Sequence, residues 1–90
     1  MTARSERDWI DRVDDGILVH AHHLSRLRGY TLRMGVEDVR ASAIKAMEDL
    51  EGSQDQSIWT LRVERCNLIL SNPDDRWLRT RTGEAMEYGG

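Results

Sequence analysis

Between Ser5 and Gly29 apolar residues recur at the spacing of an α-helix. Trp9, Ile10, Val13, Ile17, Ala21, Leu24 and Leu27 fall in one arc when successive residues are advanced by about 100°. Such an arc must face a core, and no other stretch of the chain is as long or as cleanly patterned. Its start is marked by Ser5, with Glu6 and Asp8 supplying negative charge to the positive end of the helix dipole and Asp8 standing where a capping box places Glu. Its end is marked by Arg26 and Arg28 in the last turn and by Gly29, which can take the left-handed conformation and let Tyr30 fold back towards Leu24. The reading is a helix over 5–28 on which the remainder packs. Gly16 in its middle should weaken it by ~1 kcal/mol relative to Ala, so its small size either admits another backbone or lets the helix bend.

A second amphipathic pattern, Val36, Val39, Ala43, Met47 and Leu50, runs to Gly52 and predicts a helix over 36–51. Its beginning has two readings. Thr31 can cap a helix already running through Leu32 and Gly35, or Tyr30, Leu32 and Met34 can form a short extended segment. Glu48, Asp49 and Glu51 crowd the negative end of this helix's dipole, either as a solvated face or as an acidic patch for a basic partner.

From Ile58 the period changes. On a helix, Arg62 and Arg65 would project into the arc of Ile58, Leu61, Leu68 and Ile69, whereas Trp59, Leu61 and Val63 alternate as a strand requires. Asn72-Pro73-Asp74-Asp75 has turn chemistry, because Pro presets φ and Asp favours the flanks, and alternation resumes at Trp77. The expectation is a hairpin of strands over 58–71 and 76–88, with Ser71 opposite Arg76, Ile69 opposite Leu78, Leu61 opposite Met86 and Trp59 opposite Tyr88. The fold class is then α+β, two antiparallel helices packed on a C-terminal antiparallel β-hairpin or small sheet in one domain. The alternative is an all-α bundle of three to four helices, with 55–71 as the third.

This register gathers Leu68, Leu70, Trp77, Arg79 and Arg81 on the outer face of the ribbon. A two-stranded ribbon with apolar residues on both faces needs a cover, and Trp and Arg dominate contact energetics. The cover can be the Tyr30 to Met34 segment as a third strand, a second copy of the chain or a larger protein, and these five residues are the candidate protein interface.

Other chemistries find less support. His20, His22 and His23 point in three directions on a helix, and zinc wants three or four convergent ligands; His20 falls on the apolar arc as a core histidine would. Asp11, Asp14 and Asp15 cluster with Arg12, but exposed helical carboxylates are commoner than an acid/base pair. No phosphate-binding loop or nucleophile motif is present. No catalytic, cofactor or metal role is assigned, and a small enzyme or metal-binding domain ranks last.

Nucleic acid is the serious competitor. Arg76, Arg79 and Arg81 are interleaved with Trp77, and Arg26, Arg28, Arg33 and Arg40 surround the interhelix turn. Against it stand a net charge of -3 and Glu37 and Asp38 where a recognition helix would meet bases. A single cysteine, Cys66, favours a reducing compartment. With no apolar run long enough to span a bilayer and a charged beginning, the expectation is cytoplasmic. The function expected is that of a small non-enzymatic module that regulates or inhibits a larger protein by docking on it, as adaptors, antitoxins and virus-encoded inhibitors do.

Overall fold

The computed structural model describes the backbone from Thr2 to Gly89 and the side chains from Trp9 to Glu87. Four helices follow one another: α1 (Thr2–Arg28), α2 (Leu32–Asp49), α3 (Gln56–Ser71) and α4 (Asp75–Gly89). No strand occurs among the described residues. The α+β expectation is thus overturned in favour of the all-helical bundle.

The two N-terminal helices form largely where their patterns place them. The end of α1 is a Schellman cap: Gly29 has φ 70°, and the Tyr30 N–H donates to the Ser25 carbonyl at 3.1 Å. The backbone is already helical from Thr2, so Ser5 lies inside α1 and is not its cap; the side chains of Ser5, Glu6 and Asp8 lie outside the described residues. Thr31 caps α2, its side chain accepting from the Met34 N–H at 3.1 Å. This settles the open start of α2 as helix, with no extended segment from Tyr30 to Met34.

The buried face of α1 is rotated from the apolar arc. Ile17, Leu18 and Ala21 are fully buried and Asp14 and Ser25 nearly so, while Trp9 is 52% and Leu27 81% exposed. His20 is exposed too, not a core histidine. Polar residues can face inward here because they are satisfied: the Ser25 hydroxyl donates to the His22 carbonyl at 2.8 Å, and Asp14 is paired with Arg65.

The close approach of backbones falls at Gly35, not Gly16. A Cβ on Gly35 would sit 2.4 Å from the Ala21 carbonyl oxygen, whereas one on Gly16 would meet nothing within 4 Å. Helices α1 and α2 therefore cross with Gly35 seated on Ala21.

The expected strands over 58–71 and 76–88 are α3 and α4. The objection to a helical α3, charge inside an apolar arc, is met by partners. Arg65 reaches Asp14 with two hydrogen bonds of 2.8 Å, and the Arg62 guanidinium lies over the Trp59 ring, 5.7 Å from its centroid. The Asn72–Asp75 segment does turn the chain, but as a helix start: Asp74 Oδ1 accepts from the backbone N–H of Arg76 at 2.9 Å and of Trp77 at 3.3 Å. No cross-strand pair exists among the described residues, so Ser71–Arg76, Ile69–Leu78 and Leu61–Met86 are not facing residues of a ladder; the Tyr88 side chain of the fourth pair lies outside the described residues.

Helix α1 touches each of the other three, and α2 packs along α3. Contacts of Arg33 with Leu70, Arg40 with Asn67 and Gln56 with Met47 make α2 and α3 antiparallel. The core draws Ile17, Leu18 and Ala21 from α1, Val36 and Val39 from α2, Cys66 and Ile69 from α3, and Leu78 and Ala85 from α4. Each large member contributes roughly 1.5–3 kcal/mol by leaving water. Burial pushes the Cys66 thiol up to about 11, so it stays protonated and unreactive near neutral pH.

Candidate functional site

Helices α3 and α4 lie far enough apart that a groove of about 350 Å³ opens between them, with α1 as its floor. Leu18 and Ile69, both buried, line its apolar base. Leu68 on α3 and Trp77 on α4 line it as well, 55% and 37% exposed.

Two ion pairs are built into it. Arg65 clamps Asp14 bidentately, which holds its guanidinium more firmly protonated than usual. Arg81 Nη1 stands 2.7 Å from Asp15 Oδ1. This buried oxygen accepts no hydrogen bond from any described group, so the contact is an ion pair alone. Successive carboxylates on α1 thus engage Arg65 of α3 and Arg81 of α4, and the groove holds its width because both walls are tied to the same floor. Asp14 and Asp15 spend their oxygens on this fastening, while Asp11 and Arg12 face solvent.

Of the five residues placed on one strand face, the structure brings three together: Leu68, Trp77 and Arg81. The other two part from them because a step of two residues turns a helix by about 200°. Leu70 is half-buried against the core, its carbonyl accepting from Arg33 Nη1 at 3.3 Å. Arg79 lines a different groove on the α2 side of α4. Asp14, Leu18 and Arg65, absent from the sequence-derived interface, are central. Arg65 was legible as a guanidinium projecting into an apolar arc if 58–71 were helix, whereas Asp14 was expected among exposed carboxylates, and only the fold makes the two partners.

The arginines grouped around the interhelix turn are mostly engaged. Arg33 donates to Asp75 Oδ1 at 3.0 and 2.8 Å and to the Asn72 carbonyl at 3.0 Å. Arg40 donates to Asn67 at 3.1 Å, and Arg28 stands 3.8 Å from Asp38. The Tyr30 hydroxyl also donates to Asp38, a contact that raises the phenol's pKa. Asp38 therefore anchors the α1–α2 turn.

Glu48, Asp49 and Glu51 are exposed at the end of α2 and in the turn beyond it. His20 and His23 are exposed and His22 is half-buried. Among the described residues no three His, Cys, Asp or Glu side chains gather as a metal would need, and no helix is long and apolar enough to cross a membrane. No known family matches this chain, nor does any curated protein or solved structure.

Proposed function

We propose that the protein is a non-enzymatic binding module that regulates or inhibits a larger protein by docking on it through the α3–α4 groove. The supporting observation is the pairing of Leu68 with Trp77. Exposed apolar residues scattered singly are ordinary, but these two come from different helices and line one concavity with a buried apolar floor. A groove between two helices floored by a third suits the apolar face of a partner helix. A central Trp beside Arg81 is the kind of pair that dominates binding energy in such contacts. The ion pairs fix the groove before the partner arrives, which lowers the ordering cost of association.

The test compares wild type with Trp77→Ala and Leu68→Glu, each checked for an unchanged helical circular dichroism spectrum. A partner captured from host lysate by wild type and then purified should bind either variant at least ~10-fold more weakly. Retention of every captured protein at wild-type affinity by both folded variants would remove the proposal.

A further inference from the structure

Helix α4 has a second uncovered side, and its chemistry differs from the first. Two adjoining concavities of about 490 and 320 Å³ share Leu32 and Arg79 and run along α4 from Asp75 to Met86, roughly 16 Å at 1.5 Å per residue. Leu78 and Thr82, 2% and 3% exposed, form the floor. Leu32 and Met86 stand half-buried along it, and Gly83 leaves space where a Cβ would meet nothing within 4 Å.

The charge on this groove is one-sided. Arg33 and Asp75 at one end are spent on each other at 2.8 Å. Arg79 sits at the junction, exposed, and no carboxylate among the described residues stands within ion-pair distance of it. Among the described residues, Asp75 is the only acidic one lining either concavity. On a chain whose net charge is -3, an apolar trough with a free guanidinium at its centre is a local inversion.

We infer that this trough docks an acidic amphipathic helical segment of a partner protein, leucine-like side chains over Leu32, Leu78 and Met86 and a carboxylate on Arg79. The open, ungated shape and the length of three helical turns suit a helix lying along α4, and charge complementarity selects an acidic one. Occupancy here does not depend on the Leu68–Trp77 groove, which lies on the α3 side of α4. With both filled, the domain holds two segments at once and acts as a bridge.

Amide chemical shifts of the ¹⁵N-labelled protein test this with two 18-residue helical probe peptides, both with leucines three and four apart, one carrying glutamates between them and the other lysines. The glutamate peptide should shift Leu32, Arg79, Gly83 and Met86, and the lysine peptide should not. Gly83→Leu, whose side chain fills the trough, should weaken binding there ~10-fold or more, and Arg79→Gln about 2- to 5-fold, as expected for one exposed ion pair. Equal binding of the two peptides, shifts confined to Leu68 and Trp77, or no binding would overturn the inference. So would binding of dodecanoate without binding of either peptide, which would mark a site for a small amphiphile. Because shifts at Leu32, Gly83 and Met86 read this trough and shifts at Leu68 and Trp77 read the other groove, failure of one proposal is separable from failure of the other.

Discussion

The α1–α2 hairpin and the α3–α4 hairpin are both helix pairs joined by short turns, yet they are held by different means. In the first, the partners meet directly: Gly35 seats on Ala21, and Ile17, Val36 and Val39 bury against each other's helices. In the second, the two helices scarcely touch. Each packs instead on the first hairpin, α3 along α2 through Cys66 and Ile69 and α4 on α1 through Leu78 and Ala85, with Arg65 on Asp14 and Arg81 on Asp15 added to that apolar contact. Helices that pack on each other close a pair; helices that each pack on a different neighbour leave a groove between them, and the candidate site is that groove.

The sharpest way to break the contrast is Gly35→Ala. Its new methyl meets a backbone carbonyl that cannot swing away, so α1 and α2 must separate, and urea unfolding should show a loss of about 3 kcal/mol. Asp14→Ala strikes the other hairpin. It strands a guanidinium whose side chain is 25% exposed, so the loss should lie below the ~3–5 kcal/mol of a fully buried pair, at about 2 kcal/mol. Replacing both partners, Asp14→Leu with Arg65→Met, should recover most of that stability, and a double variant no more stable than Asp14→Ala would show that the loss comes from the missing clamp and not from the stranded guanidinium. Asp74→Ala removes two hydrogen bonds to the start of α4 and should cost about 1 kcal/mol, read as a lower Tm. Gly16→Ala, with open space around the new methyl, should stabilise α1 by about 0.5–1 kcal/mol. A loss there would mean that α1 needs to bend.

These two modes of attachment also mark where periodicity is informative. Where apolar side chains alone do the burying, as in α2 with Val36, Val39 and Ala43, spacing reveals the helix, and Gly29 and Thr31 reveal its neighbouring turn. Where an inward position carries charge, the pattern misleads twice. Asp14 drew the buried face of α1 towards Leu18 and away from Trp9 and Leu27, and Arg65 made a genuine helix resemble an alternating strand. Both errors have one cause, because a residue's propensity to face inward depends on a partner distant in sequence. Asn72-Pro73-Asp74 was legible as a turn but not as a helix cap, since the same residues serve both and only the conformation of the chain beyond Asp75 tells them apart. Of the candidate site, Trp77, Leu68 and Arg81 were legible as contact-prone residue types, but their separation from Leu70 and Arg79 follows only from helical geometry.

From its place on α2, the Arg33 guanidinium holds the final carbonyls of α3 and the first carboxylate of α4. One side chain thus touches the end of one helix and the start of the next, although the Asp75 carboxylate is 73% exposed and the pair contributes at most about 1 kcal/mol. With so little contact between α3 and α4 themselves, amide protons of α4 should exchange through openings that leave α3 protected, and Arg33→Ala should change that difference little.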